Sequence, residues 1–199
     1  MIALPRADVQ IPLRLWHNDG VMPGPRRSLK PLDAAALDRL ALRYVERFAT
    51  TRAKLAAYLA RKIRERGWAG AHVEPGEVAS RMAALGYVDD RAFAEARARS
   101  MTRRGLGGRR VAAALRVAGV AEEDAGAAAA VVESGALDAA LAFARRRRIG
   151  PFAPSLPDRP TREKHLAAML RGGHDFALAR RIVAMAPGEE PERPESTQS

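Results

Sequence analysis

The chain has 199 residues, a formal charge of +11 and no cysteine; 42 residues are alanine and only 5% are aromatic. Alanine favours helix and buries little area, and β-branched runs are missing, so a thick sheet sandwich is excluded in favour of an all-helical chain with a thin core. Disulfides and thiolate metal sites are excluded as well. No apolar run approaches the roughly 20 residues of a membrane helix, and the opening residues lack a signal-peptide pattern, so the expected setting is cytoplasmic.

The charge is uneven. Residues 187–199 carry Glu189, Glu190, Glu192, Glu195 and Arg193, a net of −3, which leaves +14 for the rest. Such a surplus draws a small helical protein toward polyanions or acidic protein surfaces.

Residues 1–31 hold five prolines and are basic, so they read as a tail, with a short docked piece around Leu13–Trp16. From Leu32 a helical period appears, with Leu37, Leu40, Ala41, Tyr44, Val45 and Phe48 on one face and Asp33 as cap. A second helix starts at Thr51, carries Leu55, Tyr58, Leu59 and Ile63, and stops at Gly67. Pro75 opens a third, lined by Val78, Met82 and Leu85 and stopped by Gly86.

Asp89 is then an N-cap, Asp90 follows it, and Val88 and Phe93 occupy the two hydrophobic-staple positions. That fourth helix runs to about Arg104. Gly105-Leu106-Gly107-Gly108 forms a corner, and a basic fifth helix packs through Val111 and Leu115 and stops at Gly119. Glu122, Glu123 and Asp124 fill the first turn of a sixth helix, where the helix dipole favours them. Leu137, Leu141 and Phe143 mark a seventh that ends in Arg145–Arg148. Residues 150–160 read as a proline loop. Thr161 caps an eighth helix, which Gly172 and Gly173 break, and a ninth ends before Pro187. The acidic residues beyond it, 187–199, read as disordered.

Nine helices divide into three copies of a three-helix unit, roughly 32–73, 74–134 and 135–186 with frames shifted by one helix at the joints, an elongated array of helix-turn-helix-like repeats. Each copy carries a Leu/Val-x-x-x-Leu pair: Leu55–Leu59, Val111–Leu115 and Leu166–Leu170.

Catalysis finds no motif. The histidines His17, His72, His165 and His174 are scattered, none at i, i+4, and no serine sits in a nucleophile motif. An enzyme is not expected, nor a cofactor. The glycine corner lacks the Lys-Ser/Thr of a P-loop and has no strand before it. It reads first as a tight turn and second as a backbone contact for a nucleic-acid phosphate. The basic residues grouped on either side are Arg97, Arg103, Arg104, Arg109, Arg110 and Arg116, with Arg145, Arg146, Arg147 and Arg148 further on. They form the candidate basic patch. Gly86, Asp89, Asp90, Phe93, Gly105, Gly107 and Gly119 form the candidate structural corners. No helix shows the Asn/Gln-rich face that reads bases, so any DNA contact is expected to be backbone-directed and salt-sensitive.

Leu85-Gly86-Tyr87-Val88-Asp89-Asp90-Arg91-Ala92-Phe93-Ala94, then Arg103-Arg104-Gly105-Leu106-Gly107 and Leu115 to Gly119-Val120, closely resemble the central repeat of the RecX family of bacterial RecA regulators. The likeness spans about residues 32–186. The chain departs from the family pattern at Leu106, where an aromatic is common, at Gly108, where proline is common, and at His174, where an aromatic is usual. The resemblance implies a modular helical array that lies along the RecA–single-stranded-DNA filament and dampens ATP hydrolysis, strand exchange and filament growth. It also implies a monomer, without a membrane, serving recombination, DNA repair and the SOS response. The alternative is a helix-turn-helix-like DNA-binding or architectural protein that acts without RecA.

Overall fold

The computed structural model describes residues 30–191. Residues 1–29 and 192–199, including the expected docked piece at Leu13–Trp16 and most of the acidic tail, lie outside the described residues. Among the described residues the fold is all-α, with nine α-helices and no strand.

Helices α1 (Ala34–Val45), α2 (Arg52–Arg66) and α3 (Pro75–Ala84) enclose a first core. Leu37, Leu55, Leu59 and Val78 are fully or almost fully buried in it. Leu32 closes it from before α1: its N–H donates to the Gly67 carbonyl at 2.9 Å, and its carbonyl accepts from Ala69 at 2.8 Å. Asp33 and Thr51 cap α1 and α2 through their side chains, as short oxygen-bearing residues do.

Helices α4 (Asp90–Arg103), α5 (Gly108–Val117) and α6 (Glu122–Ser134) enclose a second core of Ala94, Ala98, Met101, Val111, Leu115 and Ala128. Alanine dominates at the crossing of α4 and α6, which lets the two backbones approach closely. Helices α7 (Ala136–Arg147), α8 (Arg159–Arg171) and α9 (Phe176–Ala184) enclose a third around Phe143, Ile149, Met169 and Ile182. A one-turn 3-10 helix, Gly150–Phe152, links α7 to the segment before α8.

Several expectations are refined or corrected. Val78, Ala79 and Met82 of α3 pack with α1 and α2, so α3 completes the first core, one helix beyond the rough division at residue 74. Val88 and Phe93 hold the staple positions about the Asp89 cap, and they also link two cores, since Val88 belongs to the first and Phe93 packs on the second. The cap of α8 is Asp158, whose carboxylate accepts from the Thr161 N–H at 3.0 Å, so the helix starts inside the expected proline loop, at Arg159. Pro160 is tolerated there because first-turn amides have no helical partner. Phe48 lies beyond the end of α1 and is 54% exposed, and Leu85, after α3, is 62% exposed.

Candidate polyanion interface and the joints behind it

Two joints hold the three helical groups together. In the first, α2 meets the start of α4 and the end of α5. The Thr51 hydroxyl donates to the Ala118 carbonyl at 2.6 Å, supplying a partner to a carbonyl at the end of α5. The buried Asp90 carboxylate accepts from the Arg52 N–H at 2.9 Å and from its Nε at 3.1 Å. Arg52 also reaches Asp124 on α6 at 2.7 Å. Hydrogen bonding to Asp90, then its charge, holds the Arg52 guanidinium above its ordinary pKa. Asp90 is therefore the bridge between the first and second groups, a stronger role than that of a corner residue. Gly119, at φ +70°, has room for no side chain, because a Cβ there would overlap the Ala53 methyl.

The second joint is built from two glycine turns that interlock. The Gly107 N–H donates to the Gly172 carbonyl at 3.0 Å, and the Arg109 N–H donates to the Gly173 carbonyl at 3.1 Å. A Cβ on Gly107 would collide with the Gly173 carbonyl and the His174 amide. A Cβ on Gly173, itself at φ +90°, would press on the Arg110 backbone. The corner is thus a backbone-to-backbone contact that only glycine permits. This corrects the phosphate reading, since two amides at the start of α5 are already committed to carbonyls.

His174 sits at this joint, 2% exposed, edge-on to the Phe143 ring at 5.1 Å between centroids. It borders a cavity of about 240 Å³ together with Gly107, Leu106 and Leu178. Burial holds its pKa below the ordinary value; a hydrogen bond to the Gly105 backbone opposes this, and the charge of Arg146 adds to it.

All ten arginines of the expected patch are exposed, and none forms an ion pair within 4 Å of a carboxylate among the described residues. They do not act alike. Arg146 donates from Nη2 to the Arg104 carbonyl at 2.7 Å, and Arg110 donates from Nε to the Arg171 carbonyl at 3.0 Å. These two brace the second joint. Arg145 lies over the Phe152 ring at 4.9 Å and Arg147 over the Phe143 ring at 5.6 Å. Arg148 takes the left-handed conformation, φ 54°, that ends α7. Arg97 borders a different cleft, between the first and second groups.

The side chains of Arg103, Arg104, Arg109 and Arg116 remain exposed, although the Arg104 carbonyl receives Arg146 and the Arg109 charge acts on Asp175. Arg109 and Arg116 are seven residues apart, two turns, and so share a face of α5. Sequence reasoning missed Arg171 and Arg52. The doublet Gly172–Gly173, matching Gly107–Gly108, was the signal available for the second joint. Among the described residues no group of three His, Cys, Asp or Glu side chains is placed to hold a metal ion. No single helix among them is long and apolar enough to cross a membrane.

Comparison with known proteins follows the same lines. The family description "RecX, second three-helix domain" matches residues 89–128, the stretch from the Asp89 cap into α6. The crystal structure of RecX from Lactobacillus salivarius superposes with a TM-score of 0.56 at 17% identity, over 75% of this chain and 93% of that one. A second crystal structure of regulatory protein RecX gives a TM-score of 0.54 at 20% identity, over 74% of this chain and 73% of that one. In sequence, the regulatory protein RecX of Agrobacterium fabrum is 38% identical over 102 residues, 51% of this chain and 54% of the relative. The regulatory protein RecX of Myxococcus xanthus is 33% identical over 175 residues, 82% of this chain and 92% of the relative. With a third of its residues identical across nearly the whole length of that relative, the chain belongs to the RecX family.

Proposed function

We propose that the protein regulates the RecA recombinase by binding the RecA–single-stranded-DNA filament, where it lowers ATP hydrolysis, strand exchange and filament growth without catalysing a reaction itself. The observation that carries this reading is the row of exposed arginines on both sides of the second joint, left without carboxylate partners. An unneutralised set speeds approach to a negatively charged assembly.

Three helical groups, which we take as modules at about 32–88, 89–134 and 135–186, offer several weak contacts on one body. Once one module is bound, the others act at high effective concentration. A monomer in the cytoplasm suits that task, with direct DNA contact weak and salt-labile.

The test is RecA's DNA-dependent ATPase with the full chain added below one equivalent. A clear fall in rate is expected. An unchanged rate at equimolar protein overturns the proposal, and tight sequence-dependent binding to duplex DNA without RecA would favour the architectural alternative.

A further inference from the structure

The seam between the first and second helical groups carries an aromatic and basic trough that, Arg97 apart, the arginine patch does not use. Tyr58 and Tyr44 stack with centroids 4.3 Å apart and 24° between planes. Phe48 adjoins this pair, 5.2 Å from Tyr44 and tilted 47° to it, so the row of rings turns outward there. The row ends in the open, because Phe48 lies past the end of α1 and keeps 54% of its surface exposed. A hydrophobic residue exposed singly is ordinary. Here Phe48 stands between two clefts, of about 580 and 630 Å³, and lines both.

The second cleft holds Tyr87, 52% exposed, and Phe93, with the Lys54 ammonium 4.9 Å from the Phe93 ring centre. Cations border both clefts: Arg43, Arg47 and Arg61 in the first, Lys54 and Arg97 in the second. Two carboxylates line the clefts beside these five cations. Glu46 is exposed, and Asp89 is engaged in capping α4. Arg61 is partly offset by Glu65 at 3.6 Å.

Exposed rings interleaved with a surplus of cations match one ligand chemistry. Unpaired bases stack on rings while their phosphates meet the cations. A duplex hides its base faces and cannot continue the row. An acidic peptide would satisfy the cations and leave the rings in water.

We propose that this trough is a binding site for single-stranded nucleic acid, with Phe48 and Tyr87 as stacking platforms and Arg47, Lys54 and Arg97 as phosphate contacts. The site is separate from the arginines of the second joint and stands or falls without them.

The experiment is fluorescence anisotropy of the full chain, without recombinase, against a labelled oligothymidylate of about 20 nucleotides, long enough for several stacked bases. A duplex of the same length and poly-glutamate serve as controls. Wild type should prefer the single strand. Phe48→Ala with Tyr87→Ala should weaken that binding about tenfold or more, while binding to the filament through the unaltered arginines is scored separately. Phe48→Trp should keep the affinity and add, over the emission of Trp16 and Trp68 in wild type, a component that the oligonucleotide quenches. Should the double alanine variant melt at a lower temperature, the quenching decides alone. Unchanged affinity in a stably folded double variant, an added tryptophan that is not quenched, or equal or stronger binding to duplex or poly-glutamate each overturns the proposal.

Discussion

At the residue scale, glycine does two opposite jobs in this chain. Gly107 has an ordinary φ of −80°, so its need for glycine is steric: there is no space between α5 and the Gly172–Gly173 turn. Gly126 lies inside α6 with nothing within 4 Å of the position of a Cβ. Gly107→Ala should therefore destabilise by about 1–3 kcal/mol, the range for overpacking. Gly126→Ala should stabilise by about 0.5–1 kcal/mol through helix propensity. Urea melts of the two variants against wild type check both signs, and loss of the contrast would remove the second joint as described.

His174 allows a pH test at the same joint. Its folded pKa is depressed below the ordinary 6.5, first by burial. The unfolded chain therefore binds the extra proton in the window from about 6.5 down to the lower folded value, and stability is lost as the pH is lowered through it. His174→Phe keeps a ring against Phe143 and removes the proton. Thermal melts at pH 7.5 and 5.5 should then show a smaller pH dependence in the variant than in wild type. An equal dependence would mean that His174 titrates normally.

At the element scale, the helices were legible from their ends. Asp33, Thr51 and Asp89 are short polar residues ahead of an apolar stripe, and each caps the helix expected of it. Asp158 was not legible, because Thr161 is also a capping type and prolines on both sides of Asp158 suggested a loop. What a helix packs against is harder to read. Pro75 marks where α3 starts and says nothing of its neighbour, so α3 was grouped with α4 although its apolar face closes the first core.

The joints were the least legible feature, since they depend on contacts across long separations. Asp90 and Arg52 are 38 residues apart, and neither side of the pair stands out in composition. The Asp90 side chain is 3% exposed and that of Arg52 43%, so part of this pair is screened by water. Asp90→Ala also strands the Arg52 N–H, and an overall loss of about 2 kcal/mol is expected. Arg52→Ala should cost less, as it leaves the backbone bond intact. Denaturation of both variants orders them, and a reversed order would show that the guanidinium, not the amide, is the partner that matters.

At the scale of the whole molecule, the candidate patch was legible as a set of arginines but not as a division of labour. Sequence shows that Arg103–Arg110 and Arg145–Arg148 lack nearby acids. Only the fold shows that Arg110 and Arg146 are held on carbonyls across the second joint while Arg103, Arg109 and Arg116 are not. Charge reversal therefore separates stability from binding. Arg146→Glu removes a brace and places a carboxylate beside the Arg104 carbonyl, so its melting temperature should drop. Arg103→Glu, Arg109→Glu and Arg116→Glu together should leave the melt nearly unchanged and weaken association with a polyanionic partner. Arg109 sits near Asp175, whose pKa is lowered first by backbone N–H donors and to a lesser extent by Arg109, so a small cost at the start of α9 is included in that expectation. The salt dependence gives the sharper reading. For a single strand, each phosphate that the protein no longer neutralises reduces the steepness of log K against log salt by about 0.7. If the three arginines touch phosphates directly, the triple variant should show a slope shallower by up to about 2. If they meet an acidic protein surface of the filament instead, binding to bare single strand should keep its slope while binding to the filament weakens. A triple variant with unchanged affinity for both would remove this face from the functional surface altogether.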